Sequence, residues 1–219
     1  MEGINSTLAP ASPGLRAAQF IVVLFHLTGF LGLAFSHDPA FYLGFTPLTL
    51  LLTLALLVAF QPERNTSFWL FCVAVSLLGF LAEFVGVNTG KLFGTYYYGK
   101  TLGWQYEGVP PLIGLNWLLL TYLAGMLARY LPGPALLRLV AGALLMLALD
   151  VCLEPVAGRL DFWHWTADII PARNFRDWFI LACVLQYLFQ RASFVKYNPL
   201  VPLVYLVQLL FFFGLGSLR

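Results

Sequence analysis

The chain has 219 residues, 60% of them hydrophobic and 10% charged, and a mean hydropathy of +0.83, too apolar for a soluble domain of this length. Its net charge of +2 comes from 12 basic and 10 acidic residues scattered without a basic run or stripe, which leaves no footprint for nucleic acid. A membrane protein with a lipid-soluble partner is the class that remains.

In chain order, residues 1–14 form a polar tail without a positively charged leader region, so the apolar run that follows is expected to be a retained span and not a cleaved signal. A hydrocarbon core about 30 Å thick takes roughly 17–25 apolar residues per helix. Seven runs of this kind occur, at residues 15–35, 43–60, 68–87, 110–130, 134–153, 175–194 and 199–218. The sixth is the least apolar because it carries Gln186 and Gln190, so six spans is the alternative count. Pro110, Pro134 and Pro199 each stand at the start of a run, where a missing N–H does no harm. The fold class is therefore all-α, a polytopic helical bundle of about seven transmembrane helices in one domain over 15–219, with no internal repeat. Two connections, 88–109 and 154–174, are longer than the others and are expected to form the site. Basic residues divide evenly between the two sides, so charge sets no orientation.

Parity sets more. The third and fifth spans run in the same direction, which brings Glu83, Asp150 and Glu154 to one face of the membrane. Asn116 lies about two turns into the fourth span from that face at ~1.5 Å per residue, and both long loops, His37, Asp177 and Trp178 share it. Polar groups in hydrocarbon require a partner or a purpose. Asp150 and Glu154 stand four apart on one helix face and would titrate as a coupled pair sharing a proton. The plainer alternative is that Pro155 ends the helix and leaves Glu154 solvated. For Glu83 the plain alternative is a hydrogen bond to a neighbouring helix. His26, mid-span, reads either as packing or as a group that tunes a carboxylate. The aromatic residues Tyr96, Tyr97, Tyr98, Trp104 and Tyr106 in one loop, and Trp163, Trp165 and Trp178 around the other, form either an interfacial belt or a lining for an apolar ligand whose rings could face a carbocation.

Missing motifs narrow the chemistry. Three histidines, at 26, 37 and 164, are too few for a membrane di-iron centre, and Cys72, Cys152 and Cys183 sit in separate apolar runs as packing residues. No P-loop, GxGxxG or GxSxG occurs, and the nearest thing to an Asp-rich diphosphate motif is Asp150-Val-Cys-Leu-Glu154. Acid–base chemistry on an uncharged lipid, with no metal and no cofactor, requires the fewest absent parts.

The segments EFVGVNTGKLFGTYYYGKTLG…GVPPLIGLNW and LDVCLEPVAGRLDFWHW…IPARNFRDWF resemble the carotenoid biosynthesis membrane family that includes carotenoid 1',2'-hydratases of the bisanhydrobacterioruberin hydratase kind. The similarity runs from about Glu83 to Phe179. It implies addition of water across the terminal 1',2' double bond of an acyclic end group, such as that of γ-carotene, lycopene or a bacterioruberin precursor. The implied partners are the carotenoid, water, the cell membrane and other enzymes of carotenoid biosynthesis. On this reading Asp150 and Glu154 are the acid pair, and Glu83 orients or deprotonates water. Asn88 and Asn116 hydrogen-bond these acids, and Tyr96, Tyr98, Trp163 and Trp165 line the end-group pocket. Trp117, Asn174 and Trp178 complete the expected binding set. A non-enzymatic transporter or carotenoid-binding scaffold, in which the acids form a proton relay, is the competing class.

Overall fold

The computed structural model describes residues 12–166 and 168–218, so most of the expected polar tail lies outside the described residues. Helices α1 (Pro13–Phe35), α2 (Pro39–Leu43), α3 (Thr46–Ala59), α4 (Thr66–Thr89), α5 (Leu112–Ala128), α6 (Ala135–Ala157), α7 (Ala172–Arg191) and α8 (Val201–Ser217) occupy every expected run. Local chemistry sets their ends. The Ser12 hydroxyl caps α1 by accepting the Leu15 N–H, with Pro13 in the first turn, and the Asn65 side chain caps α4 through the Phe68 N–H. Gly90, at φ 64°, closes α4 in the left-handed conformation that glycine adopts without penalty.

Among the described residues, four stretches are long and apolar enough to cross a membrane: α1, α2 with α3, α4 and α6. Helices α5 and α8 are apolar but have 17 residues each, and α7 is polar for a span. Its polarity has a packing reason. The Gln186 amide donates to the Thr121 carbonyl and to Met146 Sδ, and Gln190 donates to the Ala135 carbonyl, so both glutamines tie α7 to α5 and α6.

Helix α5 is the hub of the bundle, with 13 of its 17 residues buried, whereas α3 buries only Thr53 and Leu57. The hub sits close to α4 because glycines let it. A Cβ at Gly79 would come within 2.5 Å of Trp117 Cβ, and one at Gly114 would collide with the Ser76 carbonyl. At the end remote from the long loops, Tyr122 donates to Gln61 Oε1, Asn198 donates to Tyr122 Oη and the Leu57 carbonyl, and Gln61 donates to the Val195 carbonyl. These bonds pin α3, α5 and the α7–α8 connection together.

The architecture is all-helical, as expected, with one short ribbon added at the long loops. The two long loops pair through antiparallel strands β1 (Tyr96–Tyr98) and β2 (Trp163–Trp165), with Tyr96 opposite Trp165 and Tyr98 opposite Trp163. Each strand has three residues, too short for its alternation to stand out in a sequence, and its partner lies in a distant loop. The two-residue period turns Tyr96, Tyr98, Trp163 and Trp165 inward, while Tyr97 stacks on His164 on the outer face at 5.1 Å between ring centroids.

Candidate functional site: a buried carboxylate cluster beneath an aromatic ribbon

The ribbon places four aromatic donors over the ends of α4 and α6. Glu83, on α4, is buried and accepts three bonds: Tyr96 Oη to Oε2 at 2.5 Å, Tyr98 Oη to Oε2 at 2.8 Å and Trp117 Nε1 to Oε1 at 2.9 Å. Glu154, on α6, also accepts three: Trp165 Nε1 to Oε2 at 2.9 Å, Trp163 Nε1 to the same oxygen at 3.4 Å and Asn174 Nδ2 to Oε1 at 2.8 Å. One face of the ribbon thus serves both carboxyls, tyrosines on one and tryptophans on the other. Burial, and after it the negative charge of Glu83, raises the Tyr96 and Tyr98 hydroxyls well above the usual phenol range, so both stay protonated as donors.

Glycine again permits the approach. A Cβ at Gly86 would sit 2.6 Å from Tyr96 Oη, so only a bare helix surface lets that phenol reach Glu83 one turn away. Trp117 is held by a face-to-face stack on Trp178, with centroids 3.9 Å apart and planes at 28°. Asp177, beside Trp178, accepts the Phe93 N–H at 3.0 Å and so anchors the loop that leads into β1. Phe93 has φ 63°, an uncommon conformation for a residue with a side chain, and the Asp177 bond helps to hold it.

Asp150 lies one turn before Glu154 on α6 and is fully buried, but neither of its oxygens has a hydrogen-bond partner among the described residues. A direct hydrogen bond with Glu154 is therefore not made. Pro155 does not end α6, which continues to Ala157, and Glu154 is only 4% exposed, so the solvated alternative is excluded. A proline this close to the end of a helix gives up little of the backbone ladder.

The sequence reading requires corrections at two positions. Asn88 is exposed and donates to the Phe84 and Glu107 carbonyls, closing the end of α4 against the loop, so it does not hydrogen-bond an acid. Asn116 makes no bond to a carboxyl either. It follows Ile113 by three positions on α5 and lines an adjacent apolar chamber. Their expected places are taken by Trp117 and Asn174. Both belong to the expected binding set, and it is the fold that assigns Trp117 to Glu83 and Asn174 to Glu154.

Two cavities meet at this cluster. The smaller, about 10 Å³, lies among Glu83, Glu154, Tyr96, Tyr98, Trp165 and Trp178, and is close to the space one water molecule occupies. The larger, about 410 Å³, runs among α1, α2, α3, α5, α6 and α8. Ile113 and Trp163 line both and form the wall between them. Leu149 and Leu153, each directly before one of the α6 acids, face the larger chamber.

A family model described as "Carotenoid biosynthesis protein" matches residues 44–218. Bisanhydrobacterioruberin hydratase of the haloarchaeon Haloarcula japonica is 29% identical over 191 residues, covering 77% of this chain. The chain spans 63% of the length of that relative. No solved structure matches.

Proposed function

The chain belongs to the carotenoid biosynthesis protein family, and we propose that it is a membrane hydro-lyase that adds water across the terminal 1',2' double bond of an acyclic carotenoid. The observation that carries this reading is the contrast among three buried acids. Glu83 and Glu154 each collect three donors, Asp150 collects none, and a water-sized space lies between the two glutamates. A carboxyl with no donor at either oxygen is suited to give a proton, and one ringed by N–H and O–H groups is suited to receive one.

In this mechanism Asp150 delivers its proton to C2', the π electrons form the new C–H bond, and a tertiary cation is left at C1'. The Trp163 ring, on the wall between the cavities, faces that cation with its negative π surface. Water held between Glu83 and Glu154 attacks C1', forming the C–O bond, and its surplus proton passes to Glu83. The proton on Glu83 then passes through water between the two glutamates to Glu154 and on to Asp150, one helical turn away, once the two α6 carboxyls come into contact; all three acids return to their starting states, and the sum is one water added to the double bond. All seven helices of 14 residues or more cross the bilayer on this reading, with the ribbon at one membrane boundary, where a substrate in lipid and water from the surface can meet.

The test is expression in cells that make lycopene or γ-carotene, followed by mass analysis of the pigments. A product heavier by one water is expected. Asp150→Asn and Glu83→Gln should each lower its formation by about 10²-fold or more, the usual contribution of a positioned acid or base. Full hydration by both variants would remove the catalytic assignment.

A further inference from the structure

We propose that the larger chamber is the binding site for one end of a linear isoprenoid chain, entering sideways from the lipid between α1 and the α2–α3 arm. The inference rests on the hydratase reading for the identity of its ligand, but its physical argument is independent. The aromatic ribbon was the expected end-group pocket, yet the space beneath it is about 10 Å³ and takes no hydrocarbon. The neighbouring chamber, about 410 Å³, lies in the range of ligand pockets. Its lining is mostly apolar, with Leu33, Leu120 and Phe211 among the walls and a few polar side chains such as His26 and Asn116 between them.

The chamber also reaches the outside. Leu24, Phe41 and Phe45 line it and are 44%, 59% and 44% exposed, which opens it to the outside along the flank made by α1 and the α2–α3 arm. That flank is the least tightly built part of the bundle, since α3 buries only two of its residues. The inner end is the Ile113–Trp163 wall, with Glu83 and Glu154 behind it. Trp163 makes the longer of the two indole bonds to Glu154 Oε2, at 3.4 Å against 2.9 Å for Trp165, so Trp165 is the firmer anchor of the carboxyl and Trp163 the one that also faces the chamber. Volume sets the specificity. A chamber at the low end of the drug-sized range encloses one end of a forty-carbon polyene and leaves the remainder in the bilayer. Recognition is then of an end group, and shorter acyclic isoprenoids with the same end should enter.

The experiment uses Asp150→Asn protein, isolated from cells that make lycopene and scored for bound pigment by absorbance and for bound phospholipid by mass spectrometry. About one acyclic carotenoid per chain is expected. Thr49→Phe on α3 and Gln208→Phe on α8, each in the same background and checked for a monodisperse, folded state, fill the chamber from two different helices and should lower bound pigment at least ten-fold. The unfilled protein is itself a test, so the proposal does not depend on either filling variant folding. Phospholipid alone, or no pigment, in the Asp150→Asn protein would overturn the chamber assignment. So would undiminished pigment in both folded filling variants. Bound lycopene with no hydration by the unsubstituted protein would leave the chamber standing and remove the hydratase.

Discussion

Gly79→Ala tests how the site is held, because one added methyl group acts on Glu83 through Trp117. The new Cβ would stand 2.5 Å from Trp117 Cβ and 2.6 Å from Cγ, closer than real Cβ atoms come, and both α4 and α5 are fixed by neighbouring helices. The indole must move. Its 2.9 Å bond to Glu83 and its stack on Trp178 are then lost or stretched. Overpacking of this kind costs about 1–3 kcal/mol. A lost bond to a charged acceptor adds about 1.5–3 kcal/mol. The helix preference for Ala over Gly returns roughly 1 kcal/mol. A net loss of about 2–5 kcal/mol follows, at about 2–4 °C of Tm per kcal/mol for a chain of this size. Gly29→Ala on α1 is the matched control. Its Cβ would meet only Phe211 Cε2, at an ordinary 3.6 Å, so the same helix preference acts without the clash and Tm should hold or rise. Both variants would be heated in the same detergent and followed by circular dichroism. Equal Tm values for the two would refute the reasoning that Gly79 exists to seat Trp117.

Two further outcomes concern the ribbon. Trp165→Phe should destabilise the protein more than Trp163→Phe, because the indole bonds they remove from the same Glu154 oxygen measure 2.9 Å and 3.4 Å; thermal unfolding of the two would show a reversed order if distance were not deciding. Asp161, at the outer edge of the ribbon, is held below the usual carboxylate range, first by the His164 ring and next by the Lys100 N–H. A depressed folded-state pKa means that the stabilisation is present above the unfolded value of about 3.9 and is lost as pH falls through the lower folded value. Asp161→Asn should therefore flatten the fall in Tm between about pH 5 and pH 2. An unchanged acid slope in that variant would assign the effect to other groups.

The sequence by itself determined the elements. Uninterrupted apolar runs, ended by prolines and polar connections, admit only helices whose backbone groups bond internally, and every such run became one. It also marked Glu83, Asp150 and Glu154, because an acid within an apolar run is visible without any neighbour. Span number is less legible, since the polar side of α7 that weakens it as a span is the side that bonds α5 and α6. What the tertiary structure decided is which groups meet. The three-residue strands carry no signal until their partners are known, yet their register is what sends two phenols to Glu83 and two indoles to Glu154. Asn88 and Asn116 looked equivalent to Asn174 as polar residues near the same face, but only Asn174 reaches an acid. The chamber is further still from the sequence. Its walls come from six helices, most of them as ordinary apolar residues, and a cavity is a property of how such surfaces fail to fill space between them and not of any one residue.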